Sequence, residues 1–190
     1  MPPRDEEFTR IYDEEVWAVY GFIGYRVHSR ELAEDLTQAT FERALRAWHR
    51  FDPARGSART WLLSIARNLL IDHFRREGAV RTEPMLGGEA GDAQLGGRAD
   101  EVPLGPSAEL EAALTKLGDR DRELIALRYG GDLTGPAIAE ITGLTLANVQ
   151  QILSRSLRRL RAEIEDQPSR GGAENLAPSR ETRSHASESK

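Results

Sequence analysis

Residues 145–161 carry the side chains best suited to chemistry with a nucleic acid. Val149, Ile152, Leu153, Leu157 and Leu160 recur at three- and four-residue steps, which predicts one apolar stripe of a helix that must pack on a partner. The opposite stripe holds Ala147, Asn148, Gln151, Ser154, Arg155 and Arg158. Short side chains and amides at the N-terminal end suit base edges in a major groove, and arginines further along suit phosphates. Four arginines and no acidic residue fall within 146–161, so a negatively charged partner is the natural occupant of that face. The pattern also fits an ordinary helical hairpin whose arginine face is only solvated.

The preceding segment can position this helix. Gly130-Gly131 breaks the chain after Tyr129, Pro136 stands near the start of a short helix, and Ile138, Ala139 and Ile141 give that helix an apolar side. Gly143 suits a left-handed C-terminal residue and Thr145 an N-cap, while Leu144 and Val149 fit a hydrophobic staple. A short glycine-containing turn between two such helices is the helix-turn-helix pattern.

Composition narrows the classes. The chain has 190 residues, 39% hydrophobic and 30% charged, enough for one medium or two small globular domains. It contains no cysteine, which removes thiolate metal sites, disulfides and thiol nucleophiles. No apolar run approaches the roughly 18 residues of a membrane span, and residues 1–7 lack a signal-peptide hydrophobic core. A cytoplasmic location without membrane insertion is therefore expected. The net charge of −5 argues against a uniformly basic nucleic-acid binder, but the charge is unevenly placed. Residues 1–36 hold nine acidic and four basic side chains, a balance of −5, whereas 59–76 hold four arginines against Asp72, a balance of +3. One face can thus meet DNA and another a basic protein.

Residues 78–106 are rich in glycine and proline with no sustained apolar period, which reads as a flexible linker. No Gly-Lys-Ser/Thr follows these glycines and no strand precedes them, so a phosphate-cradling loop is disfavoured. Two small all-helical domains, 1–77 and 107–165, are expected, and 166–190 reads as a disordered tail. In the first domain Phe8, Ile11, Tyr12, Val16, Val19, Phe22, Ile23 and Val27 keep a helical period. Ser29 can cap a second helix, with Glu31 in its first turn and Leu32, Leu36, Leu45 and Trp48 facing inward. After the loop around Pro53, Ser57 can cap a third helix that buries Leu62, Ile65, Ala66 and Leu69. Its other face carries Trp61, Asn68, Asp72 and Arg75, an aromatic with polar and basic groups that suits single-stranded DNA. Equally, Trp61 reads as half-buried core.

The segments AEDLTQATF (33–41), TWLLSIARNLLIDHFRR (60–76) and DRDRELIALRYGGDLTGPAIAEITGLTLANVQQILSRSLRRLR (119–161) resemble, in order and spacing, the extracytoplasmic-function sigma factors of bacterial RNA polymerase. The resemblance spans both expected domains and implies a promoter-specific initiation subunit with core RNA polymerase and promoter DNA as partners. Asp35, Leu36, Thr37 and Gln38 match the family segment that docks on the clamp coiled coil, and the second domain implies a contact with the polymerase flap. The loop 51–59 and the helix after it match the family's minus-ten surface, which holds a base flipped from the stack. Arg55, Arg59, Trp61, Asn68, Asp72, Arg75 and Arg76 occupy it here. Asn148, Gln150, Gln151, Ser154, Arg155 and Arg158 would face the minus-thirty-five element. An anti-sigma protein is a candidate further partner.

Departures from the family bear on affinity. Its recognition helix commonly reads Val-Lys-Ser-Arg-Leu-x-Arg-Ala, whereas Val149 is followed here by Gln150, Gln151, Ile152, Leu153, Ser154, Arg155 and Ser156. Two basic positions are lost, and Ala137 replaces the usual capping-box Glu three residues after Thr134, so weak upstream-element binding is expected. His28, His49, His73 and His185 lack metal-ligand spacing and no nucleophile stands beside a base, so neither enzyme activity, metal nor cofactor is expected. Two other functions fit the residues: a stand-alone helix-turn-helix regulator, and a polymerase-bound adaptor without promoter readout. The sigma reading expects two tethered modules gripping separate stretches of promoter. A single fused globule that seals Trp61 from unpaired bases would contradict it.

Overall fold

The computed structural model describes residues 4–80 and 106–166, with side chains over 6–77 and 106–166. The expected tail beyond 166 and the linker over 81–105 lie outside the described residues. Among those described, seven helices and no strand occur: α1 (Arg4–Gly24), α2 (Arg30–Ala47), α3 (Ala58–Val80), α4 (Ala108–Thr115), α5 (Asp119–Ile125), α6 (Gly135–Thr142) and α7 (Leu146–Glu165). A 3-10 turn, Trp48–Arg50, follows α2, and a π-helical turn, Ala126–Gly130, follows α5. Residues 78–80, expected in the linker, continue α3 instead.

In the first module α1, α2 and α3 pack on one another. The Ser29 hydroxyl caps α2 by accepting from the Leu32 amide at 3.2 Å, and the Ser57 hydroxyl accepts from the Thr60 amide at 3.1 Å to start α3. Both caps stand where the sequence predicts. Phe8, Ile11, Val19, Phe22, Ile23, Val27, Leu36, Trp48, Leu62, Ala66 and Leu69 are buried as expected, joined by Leu63 and Leu70. Leu45 and Tyr12 are not: both are exposed, at the rim of an aromatic groove between α1 and α2 that also holds Trp17 and Phe41. Leu45 lies in the last turn of α2, off the face that meets α1 and α3.

In the second module α7 lies across α4, α5 and α6. Val149 and Leu160 are buried and Ile152 and Leu153 half-buried, as expected, but Leu157 is exposed and Ser156 takes the inward position. Steps of 149, 153, 156 and 160 follow 3.6 residues per turn, and Leu157 falls beside that line.

The modules are distinct sets of helices, yet they touch. α1 packs on the π-helical turn and α3 meets α6, so one apolar core runs from Phe22 and Leu63 to Leu127, Ile138 and Val149. In this conformation the two expected modules share an interface rather than standing apart.

Candidate nucleic-acid interface

The helix-turn-helix half is built from local signals. Thr134 caps α6 through its hydroxyl, and Gly143 ends that helix at φ +70°, with its amide donating to the Ala139 carbonyl at 2.9 Å. A side chain there would meet the left-handed penalty, so glycine is the natural residue. The Thr145 hydroxyl accepts from the Asn148 amide at 3.2 Å and starts α7 two residues after that glycine. This sharp turn holds α7 with Asn148, Gln150, Gln151, Ser154, Arg155 and Arg158 all exposed. Arg155 is additionally aimed: its Nη2 donates to Asp121 Oδ1 at 3.2 Å, and Asp121 is 9% exposed at the start of α5. The pair spends one edge of the guanidinium on the protein and leaves the side chain half in solvent.

The other half is an aromatic cluster. The 3-10 turn stacks Trp48 on Phe51, with ring centroids 4.9 Å apart and planes 16° apart, and Trp61 leans on both at 5.9 and 5.2 Å. Asp52 accepts from the Ala54 amide and folds the loop back toward α3. Trp61 is half-buried and lines a cavity of about 430 Å³ with Phe51, Arg50, Arg55 and, from α6, Glu140 and Ile141. It is thus both core and surface, not sealed. Further along α3, Asn68, Arg75 and Arg76 are exposed and Asp72 is half-buried, 3.9 Å from Arg75 Nη2. At about 1.5 Å per residue these groups form a track roughly 20 Å long leading from Trp61, not one pocket.

Three other expected contact residues stand differently. Arg59 is half-buried, its Nε donating to Glu15 at 2.6 Å and its Nη1 to Asp132 at 2.9 Å. The Glu15 hydrogen bond pushes the Arg59 guanidinium above its ordinary value, so it stays charged but committed. On α2, Asp35 and Gln38 are exposed, whereas Leu36 and Thr37 face the core, with the Thr37 hydroxyl donating to the Ala33 carbonyl at 2.7 Å. Leu36 and Thr37 therefore help hold α2 in place, and Asp35 and Gln38 form the exposed part of this segment. Trp48, expected only as core, and Arg50 also belong to this cluster, and the aromatics three residues apart ahead of Pro53 are its sequence signal. Among the described residues no three His, Cys, Asp or Glu side chains gather as metal ligands.

A capped helix-turn-helix beside an aromatic-lined, arginine-flanked helix defines a two-module helical DNA-binding protein. Residues 11–80 match the Sigma-70 region 2 family and residues 113–162 match Sigma-70, region 4. The chain is 34% identical over 164 residues to the ECF RNA polymerase sigma factor BldN of Streptomyces coelicolor, covering 85% of this chain and 61% of that one. It is 30% identical over 167 residues to the ECF RNA polymerase sigma factor RpoE of Cereibacter sphaeroides, covering 85% of this chain and 88% of that one. Its fold is similar to that of the sigma factor RpoE solved with the anti-sigma factor NepR from Bartonella quintana, with a TM-score of 0.68, 22% identity, and 86% of this chain and 99% of that chain covered. The chain belongs to the extracytoplasmic-function sigma factors. As such it is an alternative sigma factor, which binds core RNA polymerase and directs transcription initiation at particular promoters.

Proposed function

We propose that α3 captures the non-template strand of an opened minus-ten element while α7 reads a minus-thirty-five duplex, with no covalent chemistry by this chain. The carrying observation is Trp61: an indole held by two aromatic neighbours, half-exposed at a cavity that Arg50 and Arg55 also line. Flipping a base costs a few kcal/mol, and stacking on an aromatic returns about 1 to 3 kcal/mol per base. Asn68, Arg75 and Arg76 extend this cluster along the backbone path, where phosphate contacts add affinity without sequence preference. On α7, Asn148, Gln151, Ser154 and Arg155 suit base edges and Arg158 suits a phosphate. The loss of two basic positions makes this half the weaker of the two.

Docking on the polymerase clamp uses the exposed acidic and polar edge of α2, Asp35 and Gln38, against a basic helix. The second module meets the flap. The chain acts in the cytoplasm, bond-making belongs to the polymerase core, and an anti-sigma protein is a further partner. No described helix is long and apolar enough to cross a membrane.

Reconstituted transcription on a genomic DNA library, with strand opening read by permanganate reactivity of unpaired thymines, tests this reading. Initiation at a shared promoter sequence supports it. Clamp binding without opening at any promoter would establish the adaptor function instead, and promoter-duplex binding without polymerase would establish the stand-alone regulator.

A further inference from the structure

We propose that Asp121, a largely buried residue of α5, sets the selectivity of α7 for its duplex: it is a positioning residue that pins the Arg155 guanidinium toward base edges and away from phosphates. The inference rests on the reading of α7 as the helix that reads a duplex.

The arginines of α7 stand in different surroundings. Arg158 and Arg161 are exposed, and neither has a hydrogen-bond or ion-pair partner among the described residues. Arg159 reaches the Lys116 carbonyl at 3.4 Å. Arg155 alone among them meets a carboxylate, its Nη2 lying 3.2 Å from Asp121 Oδ1 and 3.5 Å from Oδ2. The two ends of this pair differ in exposure. The Arg155 side chain is 52% exposed and that of Asp121 12%, so the anchor lies inside the module and the cation reaches out of it.

Asp121 is itself fixed. It stands in the first turn of α5, where the helix dipole favours a negative charge, and α5 packs along α7. A buried ion pair is a poor way to stabilise a fold, since apolar residues of similar volume do as well without the desolvation cost. What the pair supplies is direction. A guanidinium on a free side chain samples many rotamers, whereas one held at an edge by a carboxylate keeps its plane. Asp121 engages Nη2, and the remaining N–H groups form the fork that two adjacent acceptors on a base edge would take.

Charge points the same way. From Leu146 to Ser154 α7 carries no charged side chain, so Arg155 is the first cation along the helix, next to the amides of Asn148 and Gln151. Arg158 and Arg161, with full charge and no partner, suit phosphates, for which a fixed plane matters little. The Asp121 carboxylate offsets the charge of Arg155 and weakens its pull on any phosphate. Random duplex therefore gains less from Arg155 than a matched base edge does.

Holoenzyme reconstituted with the full chain is titrated with two fluorescent promoter fragments: one carries an upstream sequence selected by wild-type holoenzyme from a randomised pool, the other the same bases scrambled. Asp121→Asn keeps the volume and removes the charge. It should weaken binding to the selected fragment about tenfold, leave the scrambled one unchanged or up to about threefold tighter, and steepen the salt dependence on the scrambled one by about one unit of slope. Arg155→Ala should lose the same selectivity, and adding Asp121→Asn to it should change the ratio no further, because Asp121 acts through Arg155. Urea titration checks folding. If Asp121→Asn does not fold, Asp121→Glu, which displaces the carboxylate by one methylene, replaces it with the same expected loss of ratio. An unchanged ratio, equal weakening on both fragments, or an effect that persists beside Arg155→Ala makes Asp121 a structural residue alone and overturns the inference. If wild-type holoenzyme selects no upstream sequence, the duplex-reading assignment of α7 fails, and the salt slope still decides Asp121. A steeper slope keeps its hold on the Arg155 charge, and an unchanged slope overturns it.

Discussion

Helices α3 and α7 both carry arginines and amides on exposed faces, but these faces are held in opposite ways. The α7 surface is set by its own neighbours in sequence: a glycine stop, a threonine cap, and an apolar edge that seats the helix. The α3 surface depends on distant partners: Trp48 and Phe51 brace Trp61, Glu15 and Asp132 hold Arg59, and α6 walls the cavity. A duplex offers a groove that one rigid exposed stripe can read. Unpaired bases need an aromatic face, and a large aromatic is kept in place by being half core. On the proposed assignment, strand capture is therefore the function tied to the overall packing, and duplex reading the one that is local.

Removing the indole is the strongest challenge to this contrast. Trp61→Ala should lower open-complex formation by about 1 to 3 kcal/mol per lost stack, which is a 5- to 150-fold effect by permanganate reactivity, with holoenzyme assembly retained. Loss of the folded state in denaturant titration, rather than loss of opening, would make Trp61 a core residue alone. Arg155→Ala should cost about 1 to 3 kcal/mol at a cognate promoter if the guanidinium reads a base, and leave strand binding to α3 unchanged. Equal loss on cognate and random duplex would reduce Arg155 to a phosphate contact. Gly143→Ala places a Cβ in the left-handed region and should destabilise the second module by about 1 kcal/mol, read in urea, without touching strand capture. A drop in strand capture with this variant would show that the turn before α7 also supports α3.

What was legible in the sequence divides along the same line. Ser29, Ser57, Thr134, Gly143 and Thr145 announce themselves because a cap is decided within three or four residues, and each is found at its expected helix end. The exposed face of α7 was legible for the same reason. Gly130-Gly131 read only as a chain break, since nothing nearby in sequence reveals that Gly21 lies against it from 109 residues away. Arg59 reads as a free cation until Glu15 and Asp132 are brought to it. Four adjacent residues, Asp35 to Gln38, span a full turn of α2, so Leu36 and Thr37 face the core while Asp35 and Gln38 face out.

The finest discrimination concerns two adjacent residues of α7. Ser156 is fully buried and its hydroxyl has no hydrogen-bond partner among the described residues, while Leu157 is 40% exposed. Burying a hydroxyl without a partner costs free energy that a methyl group does not incur. Ser156→Ala should therefore leave stability unchanged or raise it by up to about 1 kcal/mol, and Leu157→Ala should change it by no more than about 0.5 kcal/mol. The usual expectation, that deleting a leucine costs more than deleting a serine hydroxyl, gives the same order but a much larger gap, about 2 to 5 kcal/mol for a buried leucine. Urea titration of both variants separates the two outcomes. A loss in that range for Leu157→Ala would mean that α7 is rotated from the position seen here, and with it Arg155 and Ser154 would no longer share the face offered to DNA.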